Sequence, residues 1–144
     1  MDIGLLGPAL ALSLAAIGSA FGAGIAAQAA IGAWKKCFIN DTNAPFMLVA
    51  FSGAPLTQTI YGYLLMNFIA AAAEAGVDAM ILFGAGLFGG LAMGASSLMQ
   101  GKTAAAASDA LGATGKGTAN YFIVIGIVET VALFVMVFLM LTLQ

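Results

Sequence analysis

The sequence predicts an all-α membrane protein of four transmembrane helices, built as two tandem duplicated helical hairpins. Three observations point there. Of the 144 residues, 62% are hydrophobic and only 7% charged, with a mean hydropathy of +1.09; soluble domains carry about 25% charged residues. Four segments, about 3–33, 45–73, 79–111 and 118–143, are long apolar runs, and a hydrocarbon core of about 30 Å needs about 20 residues of helix. The two hairpins, residues 1–73 and 79–144, align with one another inside a single membrane domain 1–144.

The first segment opens MDIGLLGPALALSLAAIGSA. It starts with Asp2 and lacks the basic stretch that begins a cleaved signal peptide, so it is expected to stay in place as the first helix. The break WKKCFINDTNAP separates spans one and two, and its Pro45 can open the next helix. The middle break is EAGVD, and the last is the glycine-rich LGATGKGTA. Lys35 and Lys36 lie in the first break, Lys116 in the third, and Lys102 close enough to the third to snorkel toward it. The middle break carries Glu74 and Asp78 and no lysine. Positive charge marks the cytoplasmic side. Loops 34–45 and 112–118 are therefore expected in the cytoplasm and both termini outside, with Trp34 as an interfacial anchor.

Composition also excludes. The chain has no Arg and no His, which argues against nucleic-acid binding and His-based catalysis. The lone Cys37 allows no intrachain disulfide and reads as a bystander thiol near a loop. Without a GxxxxGK[ST] loop the chain is not expected to hydrolyse ATP alone. No organic cofactor is implied.

Glu129 is the one acidic residue of the last span, near its middle. A carboxylate there costs about 2.5–3.5 kcal/mol on insertion scales, so an ion or proton site is the default expectation. Aligning Gly22-Ala23-Gly24 with Gly101-Lys102-Thr103, and Gln58-Thr59 with Glu129-Thr130, relates the hairpins at offsets of 79 and 71 residues. Gln58 and Glu129 then lie at similar depth, roughly 16–20 Å from the cytoplasmic breaks at 1.5 Å per residue. The first hairpin has an amide where the second has a carboxylate, so one ionisable site serves two hairpins.

Other polar groups fall at that depth. Thr57, Gln58 and Tyr61 can share a face of span two, and Gln100 of span three matches the level. Pro55 donates no amide and loosens the helix, so a carbonyl such as that of Ala54 can point at a ligand. Carboxylate, amide, hydroxyl and carbonyl oxygens suit a hard cation, and one carboxylate neutralises one monovalent ion. The number of oxygens leans the reading to Na⁺; the alternative is a proton held on Glu129 with Gln58, Gln100 and Tyr61 as hydrogen-bond partners. Gln28 and Asn67 lie at other depths and are read as helix contacts.

Glycines separate the spans into two kinds. Gly86, Gly90 and Gly94, continued by Ser97 and Gly101, line one face of span three, and Gly18 and Gly22 do so in span one. Small faces let helices approach closely. Packing within one chain explains part of this; the sharper expectation is a homo-oligomer with spans one and three as its inner circle.

At these residues the chain resembles the ring-forming proteolipid of V-type (V/A-type) rotary ATPases, the c or K subunit. GSAFGAGIAAQAAIG, PLTQTIYG, MQGKTAAA and VETVALF carry the resemblance over nearly the whole chain. It implies a rotor ring, turned by ATP hydrolysis in a peripheral head through a central-stalk subunit. The ring carboxylate would pass ions between half-channels, past a stator subunit with an essential arginine, in a lipid membrane. In sodium-pumping members the cation ligands correspond here to Thr57, Gln58, Gln100, Tyr61 and Glu129, with the Ala54 carbonyl, and the Tyr closes the site on the Glu. Leu56 departs from that motif, which has Gly, and is expected to crowd the backbone. Two rivals are a small four-helix proton-coupled antiporter, which carries its Glu in the first helix and lacks the duplication, and a non-transporting pore, which does not need Glu129.

Overall fold

A computed structural model describes residues 3–144. Met1 and Asp2 lie outside the described residues, and with them the part of the first-helix reading that rests on Asp2. The helices are α1 (Leu6–Ile39), α2 (Leu48–Gly53), α3 (Thr57–Glu74), α4 (Ala79–Thr114) and α5 (Thr118–Thr142). Short 3₁₀ turns at Ile3–Leu5 and Ala54–Leu56 precede α1 and join α2 to α3. There is no strand among the described residues. Three helices, Ile3–Ile39, Ala79–Thr114 and Thr118–Thr142, are long and apolar enough to cross a membrane. The segment expected as span two is α2, the Pro55 turn and α3, laid end to end.

Two boundaries differ from the sequence expectation. The first loop is 40–47 rather than 34–45, because Trp34, Lys35, Lys36 and Cys37 continue α1. That run holds no glycine or proline, and lysine is a good helix former. The helix stops at Asn40, followed by Asp41 at φ 51°, a left-handed conformation that Asn and Asp adopt more readily than other non-glycine residues. The α4 helix likewise runs past 111 to Thr114 and ends on Gly115 at φ 64°, whose N–H bonds the Leu111 carbonyl at 2.8 Å. Pro45 does not open a helix directly; α2 begins three residues later, and the Pro45 carbonyl instead accepts the Trp34 indole N–H at 2.8 Å. At the opposite end Asp78 caps α4, accepting the Met80 N–H at 2.9 Å.

α1 and α4 run parallel with backbone against backbone. A β-carbon on Gly86 would overlap Gly7, one on Gly18 would overlap Gly94, and one on Gly101 would overlap Gly22. These glycine faces are thus spent inside one chain. α3 docks beside them, where Gly62 meets Ala15 and the Ala11 carbonyl, and α5 packs against α4 near Gly89, which faces Leu139 and Leu65. Cys37 is buried, with its thiol 3.4 Å from the Gly112 carbonyl, so it is a packed helix residue rather than a loop bystander.

The interior is layered. One apolar cluster joins Ala11, Ala15, Leu65, Ile69, Leu82, Met93, Ala132 and Met136. A second joins Ala26, Ala30, Leu48, Phe51, Ala104, Leu111 and Ile125. Between them the long helices contribute to one polar layer: Ser19, Gln58, Ser96, Ser97 and Gln100, all buried, and Glu129, half-buried. Outside, α5 exposes Ile123, Ile127, Val131, Phe134 and Phe138, a continuous apolar surface of the kind that faces lipid.

Ser108 is an exception to polar satisfaction. Its hydroxyl is fully buried beyond the polar layer and has no hydrogen-bond partner. An orphaned buried hydroxyl costs about 1–3 kcal/mol. Ser108→Ala is therefore expected to raise the midpoint of denaturant unfolding in detergent, by roughly 1 kcal/mol of stability.

Candidate ion-binding site

Pro55 sets the local geometry. It cannot give an amide to the Phe51 carbonyl, and the chain tightens into the 3₁₀ turn, with the Thr57 N–H on the Ala54 carbonyl. The turn starts α3 so that Gln58 points inward, fully buried, while Ala54, Thr57 and Tyr61 are half-buried. Leu56 turns outward, 52% exposed, with φ −79° and ψ −19°. It does not crowd the backbone, contrary to the expectation from its replacing a glycine.

The structure brings Ala54, Thr57, Gln58, Tyr61, Gln100 and Glu129 into one connected group. Tyr61 OH donates to Glu129 Oε1 at 2.8 Å. Gln100 Nε2 donates to Glu129 Oε2 at 3.1 Å and to the Ile125 carbonyl at 3.3 Å. Gln58 Nε2 donates to Gln100 Oε1 at 2.7 Å. Thr57 Oγ1 lies 3.0 Å from the Ala54 carbonyl and 3.2 Å from Gln58 Oε1.

One atom fixes the direction of both amides. A backbone carbonyl only accepts, so the group of Gln100 that faces Ile125 must be its NH₂. Its Oε1 then faces Gln58, which must present its own NH₂ there. The Gln58 oxygen is left facing Thr57. The group therefore has two sides. Donors from Gln100 and Tyr61 converge on the carboxylate of Glu129. On the other side three oxygens, from Ala54, Thr57 and Gln58, lie together with one hydroxyl hydrogen to share between two contacts.

Residues that sequence reading missed hold this arrangement in place. Ser97 Oγ lies 2.6 Å from the Pro55 carbonyl and 3.3 Å from Ser19 Oγ. Ser96 Oγ donates to the Val128 carbonyl at 2.9 Å, one residue before Glu129. In a glycine-rich helix a serine reads as merely small; the only signal was that Ser19 and Ser97 stand at nearly the spacing of the duplication. Gln28 and Asn67 are elsewhere and exposed; Asn67 donates to the Tyr63 carbonyl of its own helix at 2.9 Å. Neither is buried against another helix of the same chain. Lys36 pairs with Asp109 at 3.6 Å on the surface, far along the helices from Glu129.

Residues 83–142, which include Gln100 and Glu129, match the family model of the ATP synthase C subunits. Over 104 residues the chain is 35% identical to the A-type ATP synthase subunit K of Methanocaldococcus jannaschii, an alignment covering 72% of this chain and 44% of that protein. The chain thus spans less than half the length of that relative. With three membrane-capable helices around a buried polar layer, this is an integral membrane protein. Its second half is similar to the ATP synthase C subunits, and most of the chain is similar to an A-type ATP synthase subunit K.

Proposed function

We propose that Glu129, with Ala54, Thr57, Gln58, Gln100 and Tyr61, binds Na⁺ and carries it across the membrane as part of a rotor ring. The carrying observation is the gathering of oxygens beside Glu129: Thr57 Oγ1 lies 3.0 Å from the Ala54 carbonyl and 3.2 Å from Gln58 Oε1, and Gln58 is linked through Gln100 to the carboxylate. Two oxygens that bind one hard cation at about 2.4 Å sit about 3.4 Å apart when at right angles. Oxygens this close together suit a cation held between them and the carboxylate. Such a cation also neutralises Glu129, which lowers the cost of exposing the group to lipid.

In this reading copies of the chain form a homo-oligomeric ring, with α1 and α4 inward and α3 and α5 toward lipid. The segment α2 to α3 acts as the second of four spans. Residues 1–73 and 79–144 are duplicated hairpins, and the meeting of Gly7 with Gly86, Gly22 with Gly101 and Ala33 with Gly112, each 79 apart, supports a shared depth for the two copies. The ends near Lys35, Lys36 and Lys116 lie in the cytoplasm, with both termini outside. ATP hydrolysis elsewhere in the complex turns the ring through a central stalk, past a stator arginine. The chain itself does no catalysis.

A carbodiimide is expected to modify Glu129, and millimolar Na⁺ at constant pH to protect it. If Na⁺ gives no protection while lowered proton concentration alone changes the labelling, the cargo is the proton. The 2.8 Å contact between Tyr61 and Glu129 is compatible with that second reading too, since a phenol oxygen also accepts from a protonated carboxyl.

A further inference from the structure

We propose that Ser97, oriented by Ser19, is a positioning residue that sets cation affinity by clamping the Pro55 turn. This rests on the reading of the site as a Na⁺ carrier. The relay spans three elements: Ser19 on α1, Ser97 on α4 and the Pro55 carbonyl in the turn before α3. All three residues are at most 2% exposed. A hydroxyl has one hydrogen. The 2.6 Å separation assigns the hydrogen of Ser97 to the Pro55 carbonyl, so Ser97 accepts the hydrogen of Ser19 across 3.3 Å.

The clamp grips the one piece of backbone that places the oxygen side of the site. Pro55 is flanked by Ala54, whose carbonyl faces Thr57, and lies two residues before Thr57 itself. It is also seated from behind, because a β-carbon on Gly22 would stand 2.9 Å from the Pro55 Cβ. A turn beside a proline lacks a helix bond and has room to relax toward other conformations. A buried carbonyl held from a neighbouring helix resists that relaxation, since releasing it without a new partner leaves an unsatisfied polar group.

The donor side of the site does not pass through the clamp. Gln100 is oriented by the Ile125 carbonyl and Tyr61 lies a full turn farther along α3. Loss of the clamp therefore loosens Ala54 and Thr57 and leaves the carboxylate and its donors in place. Only a cation needs the loosened oxygens. The expected effect is on Na⁺ affinity alone, which a general loss of folding does not mimic.

The test is carbodiimide labelling of Glu129 in the purified, detergent-solubilised protein at one fixed pH, with NaCl titrated against choline chloride. Ser97→Ala is expected to label at the wild-type rate without Na⁺ and to need roughly tenfold more Na⁺ for half protection. Ser19→Ala is expected to shift in the same direction by less, and Ser97→Thr, which keeps a hydroxyl, to recover part of the loss. Ser108→Ala, which removes an equally buried hydroxyl with no clamp, is expected to match wild type. Wild-type protection by Na⁺ together with unchanged half protection in Ser97→Ala overturns the clamp and leaves the carrier reading standing. Loss of labelling in Ser97→Ala without Na⁺ also overturns it, because the serine then supports the fold or the carboxylate. Absence of Na⁺ protection in wild type overturns the carrier reading first, and the clamp with it.

Discussion

Glu129→Gln is expected to abolish Na⁺ binding and ATP-driven Na⁺ uptake in vesicles that carry the whole complex. The substitution keeps the shape of the side chain and removes its charge. A unit charge 4 Å from a cation is worth about 4 kcal/mol at the effective dielectric of a partly buried site, which is about three powers of ten in affinity. The hydrogen bonds do not add to the loss. In the wild type each carboxylate oxygen accepts one bond, from Tyr61 at 2.8 Å and from Gln100 at 3.1 Å. A glutamine keeps both contacts by turning its oxygen to Gln100, whose direction is tied to the Ile125 carbonyl, and its NH₂ to Tyr61, whose phenol oxygen then accepts. The charge alone therefore carries the expected effect. The measurement is radiolabelled Na⁺ binding to the purified protein, followed by uptake in vesicles. Binding within tenfold of wild type would move the ion to another place in the chain and would revive the idea of a pore that needs no carboxylate.

Much of this site was legible because depth in a membrane helix is simple arithmetic. Glu129, Gln58 and Gln100 could be placed at one level by counting residues at a fixed rise, and Thr57 and Tyr61 by helical spacing. The direction of each amide was not legible. It depends on a carbonyl, that of Ile125, which any residue type would supply. The serine relay was hidden for a related reason: Ser19 and Ser97 act through single hydroxyls on faces whose pattern says only that small residues are needed. Helix ends were misjudged where chemistry looked like a loop. The run Trp34 to Cys37 is polar enough to suggest a break, yet nothing in it stops a helix, and the residues that do stop it are Asn40 and Asp41. Span two was expected as one helix and is interrupted at Pro55. The expectation that proline would free a carbonyl there had the right cause, while the repair, a 3₁₀ turn held by another helix, required the third dimension.

The second large effect is expected from the smallest change. Gly101→Ala adds one methyl group on α4, and that carbon would coincide with the backbone of Gly22 on α1. Overpacking a core with side chains costs about 1–3 kcal/mol because neighbours rotate aside. Here the neighbour is main chain in the middle of a 34-residue helix, which cannot rotate away. The two helices must separate along their length or slide, and the expected loss exceeds roughly 4 kcal/mol, in the range reserved for specific structural lesions. Either movement also displaces Gln100, the preceding residue, and Ser97 one turn earlier. Gly101→Ala is thus expected to lose the folded protein from detergent extracts, and any fraction that survives is expected to lose Na⁺ protection of Glu129. Gly84→Ala is the matched comparison: it lies on the same helix, its new carbon would meet nothing within 4 Å, and alanine is favoured over glycine in a helix by about 1 kcal/mol. It is expected to extract and bind like wild type or better. If both variants behave alike, α1 and α4 are not in backbone contact at Gly22, and the polar layer loses the rigid pair of helices on which Ser97 and Gln100 are mounted.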